Sequence, residues 1–423
     1  MRRATVFALF LLLVCGAARS QQVPPRAESF ALKDGDRVAF YGDSITEQRL
    51  YTSDVEEFVL TRFPGSKVTF IQAGVGGDKV SGGHAGPVDM RIERDVVAYQ
   101  PTVVTIMLGM NDGFYRVYDP GIFQSYADGY RHLVDSIQSK LPAVRFTLLK
   151  PSPYDDVTRE PLLVDNGGYN LVLQRFSEFV GQLAAEKHLQ AADLNSQVVA
   201  ALTKAKAIDP AFSTTLIPDR VHPGNSVHWL MAEAILKVWG APSVVTSVTI
   251  DAAKPAVGEI ANTQISELRK SKGSVTWLES DQALPLPFPS SDSDPFVALA
   301  IHASDLIEAL DEETLRIHGL APGKYDLKID ERSVGAFDHD QLESGINLAL
   351  LETPMLEQAR LVAFDTERRN EIDRARANLI QMDMTAISRA AATELADFQG
   401  HAVEQQRRDA RPTPHRYSLS LLP

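Results

Sequence analysis

Val38-Ala39-Phe40-Tyr41-Gly42-Asp43-Ser44-Ile45-Thr46-Glu47 is the stretch on which the fold of this chain turns. Four consecutive apolar residues, Val38 to Tyr41, read as a strand buried on both faces, and the Gly-Asp-Ser that follows breaks it. Ser44 then stands just beyond a strand end, with Gly42 close by, so its hydroxyl can be exposed at the entrance to a helix.

Outward from this stretch the same alternation repeats. Val68 to Ile71, Val103 to Leu108, Phe146 to Leu149 and Gln190 to Leu194 are further strand candidates. Val55 to Arg62, Pro87 to Tyr99 and Tyr126 to Lys140 carry helical patterns between them. Strands alternating with helices predict a five-stranded parallel sheet covered on both faces, a three-layer α/β/α sandwich of the flavodoxin-like kind. Such sheets bind ligands outside the carboxyl ends of their strands, where the strand order reverses. With the order 2-1-3-4-5, three loops meet at one crevice: Gly42-Asp43-Ser44, Gly74-Val75-Gly76-Gly77-Asp78 and Gly109-Met110-Asn111-Asp112.

Ile217-Pro218-Asp219-Arg220-Val221-His222-Pro223-Gly224 supplies what a serine nucleophile needs. A carboxylate three residues before a histidine can fold back within one turn and accept from the imidazole N–H, fixing its tautomer. Pro223 favours a helix start directly afterwards. Ser44 is therefore the candidate nucleophile, His222 the candidate base and Asp219 its orienting carboxylate. The backbone N–H of Gly77 and the Asn111 amide are candidate oxyanion donors. Gly74 and Gly76 are alternatives to Gly77. The G-x-S-x-G elbow of α/β-hydrolases is absent around Ser44.

Each piece has a plainer reading, as a turn, a loop or one of ten histidines. Their order along the chain and their places at strand ends make the joint pattern informative. Asp43 and Asp112 are expected to hold loops through backbone N–H groups. Asp338-His339-Asp340 reads as a solvated turn, not a metal site, and His84 and His228 have no ligand-like partners nearby. Phe114, Tyr115, Tyr118 and Tyr154 are placed either to line a pocket or to pack its rim.

Together, Gly42-Asp43-Ser44, Gly77, Gly109-Met110-Asn111-Asp112 and Asp219-Arg220-Val221-His222 resemble the four blocks of SGNH (GDSL-like) hydrolases. The resemblance spans about residues 37–240. It implies the α/β/α sandwich, an oxyanion hole of Ser44, Gly77 and Asn111, and neither metal nor cofactor. Gln72-Ala73-Gly74 departs from the family, many of whose members lead into the second block with an asparagine. The implied reaction is ester hydrolysis through an acyl-enzyme, falling at acid pH because the imidazole base must be neutral. The expected substrate is a small acyl ester, acetyl above all, carried on a carbohydrate. A broad lipolytic esterase and a silent glycan-binding protein are the competing readings.

A formal net charge of -13 disfavours nucleic acid and anionic membranes as partners. Arg2 and Arg3, the apolar run Val6 to Val14 and Ala18-Arg19-Ser20 read as a signal peptide over 1–20, which predicts a secreted or periplasmic protein. Cys15 is the only cysteine and lies inside that segment, so the mature chain has no thiol. Val14 stands where a lipoprotein signal carries a small residue, which disfavours a lipid anchor.

A hydrolase domain is expected over 30–241. Beyond it, Val244 to Ile250, Val275 to Leu278, Phe296 to Ile301, Leu315 to Ile317 and Tyr325 to Ile329 are short strand candidates. They predict a small antiparallel β-rich module over 243–352. Residues 353–410 read as helical, with Leu356, Ala359, Val362 and Phe364 and then Ile372, Ala375 and Leu379 on the apolar side. Residues 411–423 are expected to form a tail.

Overall fold

The computed structural model describes residues 30–163, 167–289, 295–382 and 386–423. The predicted signal peptide lies outside them.

The first sheet contains β1 (Arg37–Gly42), β2 (Thr69–Gly74), β5 (Val103–Met107), β6 (Arg145–Lys150) and β7 (Gln190–Asp193), in the order β2-β1-β5-β6-β7. Every pairing in it is parallel. The order reverses at β1, as the Gly-Asp-Ser loop required. From Val38 to Gly42, β1 is buried throughout, because helices cover both faces. The intervening β3 (Gly82–Gly83) and β4 (Gly86–Pro87) form a minimal antiparallel pair in the loop after β2.

The covering helices are α1 (Ser44–Glu47), α2 (Leu50–Arg62), α3 (Val88–Arg91), α4 (Pro120–Lys140), α5 (Asn170–Lys187), α6 (Leu194–Ile208), α7 (Pro210–Ser213) and α8 (Asn225–Val238). Helix α3 continues as a π turn, Ile92–Val96, and a 3-10 turn, Val97–Tyr99. Their starts follow from side-chain capping: Asp119 accepts from the N–H groups of Gly121 and Ile122, and Asp193 from those of Asn195 and Ser196. Buried tyrosines lock α4 to β5, since Tyr130 donates to the Ile106 carbonyl at 2.9 Å and Tyr126 to Leu108 at 3.0 Å.

Past Trp239 come β8 (Val244–Asp251), β9 (Ala256–Ala261), β10 (Thr263–Ser271), β11 (Ser274–Asp281), α9 (Pro295–Ala303), α10 (Leu306–Leu310), β12 (Glu312–His318), β13 (Lys324–Ile329), β14 (Arg332–Asp338), α11 (His339–Ser344) and β15 (Ile346–Asn347). Two long helices, α12 (Pro354–Met382) and α13 (Ala386–Asp409), and a last strand, β16 (His415–Leu421), complete the chain. One sheet runs β10-β11-β16-β13-β14 and is antiparallel throughout. The other runs β15-β12-β8-β9.

Three expectations for this half are corrected. Phe296 to Ile301 lies in helix α9, not in a strand. Val297, Leu299, Ala300 and Ala303 on it are buried and Phe296, Ala298 and Ile301 half-buried, and an apolar run this short and continuous has no period to separate helix from strand. The β-rich region is not purely antiparallel, because β12 pairs with β8 in parallel. Residues 411–423 are not a free tail, since β16 is the central strand of its sheet, with Tyr417 stacked on Trp277 at 5.0 Å.

The helical pair is docked on the sandwich through α2. Arg369 and Glu56 form a buried ion pair at 2.6 Å, and Gln406 donates to the other Glu56 oxygen at 3.1 Å. Leu356, Ala359 and Val362 are buried as expected, whereas Phe364 and Ala375 are exposed. No helix among the described residues is long and apolar enough to cross a membrane.

Candidate active site

Ser44 is the first residue of α1, and Asp43 is its N-cap, accepting from the Ile45 N–H at 3.0 Å. A first-turn N–H has no partner inside its helix, so the Ser44 N–H points out of the helix end beside its own hydroxyl. The helix sits hard against the strand ends. A Cβ added to Gly74 would lie 2.3 Å from the Glu47 nitrogen, and one on Gly42 would lie 2.8 Å from the Thr46 Cβ. Glycine at both places is what lets α1 approach β1 and β2 so closely.

Across the crevice, His222 Nε2 lies 2.8 Å from Ser44 Oγ. Its Nδ1 lies 2.6 Å from Asp219 Oδ2, while Asp219 Oδ1 accepts from the N–H groups of Val221 at 2.9 Å and His222 at 2.7 Å. Burial pulls the Asp219 carboxyl upward, but these hydrogen bonds outweigh it and hold it below the usual carboxylate range. An ionised carboxylate only accepts, so the proton sits on Nδ1 and the Nε2 lone pair faces the serine hydroxyl. The turn carrying Asp219 and His222 is braced from outside. Arg220 adopts a left-handed backbone (φ 73°) and donates to the Glu160 carbonyl at 2.6 Å, and Arg159 donates to the Pro218 carbonyl at 2.8 Å.

The two remaining loops are tied to each other. Asn111 Nδ2 donates to the Asp78 carbonyl at 3.1 Å, and Tyr115 donates to Asn111 Oδ1 at 3.1 Å. One Nδ2 hydrogen is left for a ligand once that pair is made. Gly77 has φ 71°, and an added Cβ would meet nothing within 4 Å. Its requirement is thus the left-handed backbone and not space. Among the described residues its N–H has no hydrogen-bond partner. Gly76 also borders the nucleophile, for an added Cβ would stand 4.0 Å from Ser44 Cβ. Gly74 is instead consumed in the β2 pairing opposite Gly42.

Asp43 and Asp112 hold loops as expected, Asp112 accepting from the Val80 N–H at 3.0 Å. Burial pushes both carboxyls up to about 7. His228 is a core residue: it accepts from the Tyr51 N–H at 3.1 Å and faces Gln48 Oε1 at 3.2 Å, and burial drives its imidazole down to about 3. Asp338 caps α11 in a capping box with Gln341, so Asp338-His339-Asp340 is a helix start. Phe114, Tyr115 and Tyr118 are exposed along the rim, while Tyr154 is buried against Tyr115 and Tyr169. Phe114 and Tyr115 both have positive φ (52° and 53°), backbone strain placed next to the site.

Sequence reasoning missed the residue behind the second loop. Arg91 is fully buried and reaches back to the Asp78 carboxylate, the Ala73 carbonyl and Asp95 Oδ2 at 2.6 Å. It also lies 4.7 Å over the Tyr41 ring. A helical arginine thirteen residues from Asp78 gives no local signal, and only the doubling back of the chain brings it there.

Residues 40–230 match the model of the GDSL-like Lipase/Acylhydrolase family. An acetylxylan esterase from Geobacillus stearothermophilus is 25% identical over 226 residues, 49% of this chain and 94% of that protein. Among solved structures, a gut microbial diltiazem-metabolizing enzyme is 24% identical with a TM-score of 0.78, covering 92% of this chain and 98% of its own. That likeness of fold therefore extends well past the sandwich. The crystal structure of the acetylxylan esterase covers 50% of this chain and 97% of its own, with 24% identity and a TM-score of 0.40.

Proposed function

Residues 40–230 are a GDSL-like lipase/acylhydrolase domain, and from that premise we propose that the protein is an exported serine esterase that removes small acyl groups, acetyl above all, from a carbohydrate. The observation that carries this reading is the unbroken relay from Asp219 through His222 to Ser44, at 2.6 Å and 2.8 Å. His222 takes the Ser44 proton as Oγ attacks the ester carbonyl. The oxyanion forms between the N–H groups of Ser44 and Gly77 and the free Asn111 hydrogen. His222 then protonates the leaving alcohol and activates water to release the acyl group. Asp219 keeps the imidazole in the productive tautomer and stabilises its charged form. The similarity to an acetylxylan esterase supports an acetylated glycan as substrate. The apolar run behind Arg2 and Arg3 supports export.

Hydrolysis of p-nitrophenyl acetate, butyrate and octanoate by the purified protein tests this reading. The expected order is acetate fastest and octanoate slowest. A preference for octanoate points to a lipolytic esterase, and no hydrolysis of any of the three removes the esterase reading. Asn111→Ala is expected to lower kcat for the acetate by roughly 10²–10³, the usual cost of one oxyanion donor. An unchanged kcat would take Asn111 out of that role.

A further inference from the structure

A cavity of about 540 Å³ opens between the sandwich and helix α12, which lies outside the family-matched residues. It begins at Gln48, one turn beyond Ser44, and at Asn225, three residues beyond His222. Asp54, Glu57 and Trp229 line one wall, and Phe364, Glu367 and Arg374 line the other. Helix α12 is clamped to the nucleophile's own turn. Arg374 donates to the Gln48 carbonyl at 2.9 Å, and Arg49, with a left-handed backbone, pairs with Asp373 at 2.9 Å.

Three features of this cavity bear on what it takes. It is far larger than an acetyl group needs and falls in the size range of small-molecule sites. Asp54 is only 9% exposed, and its Oδ2 has no hydrogen-bond partner among the described residues. A buried carboxyl oxygen without a donor is costly, and a hydroxyl arriving from the cavity would supply one. The charges around the cavity are largely paired: Arg49 with Asp373 at 2.9 Å and Arg360 with Glu352 at 2.6 Å, leaving Arg374 set against Glu367. Neither a cation nor an anion is favoured there, whereas a neutral molecule rich in hydroxyls can donate to the carboxyls and accept from the guanidiniums. Burial pushes both carboxyls upward, Asp54 with the Glu57 charge added and Glu57, with the Glu56 charge added, to about 8. The half-exposed Phe364, with the edges of the buried Trp229 and Pro287 behind it, gives apolar surface of the kind that the C–H face of a sugar ring packs on.

We infer that the cavity between α12 and the nucleophile turn is a subsite for the sugar units neighbouring the acylated one, so that the C-terminal helical pair selects oligosaccharides over simple esters. This deepens the esterase proposal and rests on it for the identity of the reaction, but binding can be read without turnover. The probes are acetyl-free xylotetraose and cellotetraose, titrated calorimetrically into Ser44→Ala protein with and without Phe364→Ala and Glu367→Ala. Both of the latter side chains are exposed, so their removal should not threaten the fold. At least one tetrasaccharide is expected to bind, and the double change on α12 to weaken it about tenfold. In the catalytically intact background, the same double change should lower kcat/KM for the acetylated tetrasaccharide about tenfold relative to p-nitrophenyl acetate. No binding of either sugar, or binding and a substrate ratio indifferent to Phe364 and Glu367, would overturn the subsite. Binding that depends on α12 in a protein inert toward p-nitrophenyl acetate would keep the subsite and remove the esterase.

Discussion

Ser44→Ala is expected to lower kcat for p-nitrophenyl acetate by roughly 10⁴–10⁶, and His222→Ala to do the same, with the double variant no worse than either. The reason is that the two side chains act as one unit: at 2.8 Å the imidazole has no other proton to take than that of Ser44 Oγ. Asp219→Asn is expected to cost less, on the order of 10²–10⁴. The Asp219 side chain is 56% exposed, so water shares the task of stabilising the charged imidazole, although the tautomer is no longer enforced. The pH profile carries a sign. The Asp219 carboxyl is held below the usual carboxylate range, so it remains ionised as pH falls to that range. Asp219 therefore contributes no acid limb of its own above that range, and Asp219→Asn should lower the plateau without removing a limb. A Ser44→Ala protein retaining more than about a hundredth of the wild-type rate would require a different nucleophile.

Arg91→Met is expected to destabilise the sandwich by about 3–5 kcal/mol, because it leaves the Asp78 carboxylate buried without its partner. Both side chains are fully buried, so solvent does not screen the loss. For a domain of this size the melting temperature should fall by roughly 10 °C in calorimetry. Activity should fall further than stability alone dictates, since Arg91 also holds the Ala73 carbonyl, and the Asp78 carbonyl orients Asn111. Replacing both partners, Arg91→Met with Asp78→Leu, removes the stranded charge and should recover part of the stability but not the activity. A melting temperature within about 2 °C of wild type for Arg91→Met alone would mean the pair contributes little to the fold.

How much of this was legible beforehand depends on the range over which each feature is encoded. The parallel sheet and its reversal at β1 were readable, because strands buried on both faces are unbroken apolar runs ending in glycine turns. Ser44, Asn111 and the Asp219–His222 turn were readable for a related reason. Each is a short motif placed by the strand or helix next to it, and three strand ends converge once the order is known. The α9 helix was mistaken because Phe296 to Ile301 is an unbroken apolar run too short to show a period. The strands β9, β10 and β14 went unseen because β9 is exposed along its whole length and the others along much of theirs, so no apolar alternation marks them.

By itself the sequence determined the sandwich, the crevice and the identity of the side chains meeting there, since hydrophobic period and turn chemistry act within a few residues. Tertiary structure alone decided the rest. Arg91 beneath Asp78, β16 at the centre of its sheet and α12 against Gln48 and Arg49 are all contacts between residues far apart in the chain. Such contacts form only because the chain must bury apolar faces and pair buried charges wherever the fold happens to bring them, a requirement that leaves no mark on neighbouring residues.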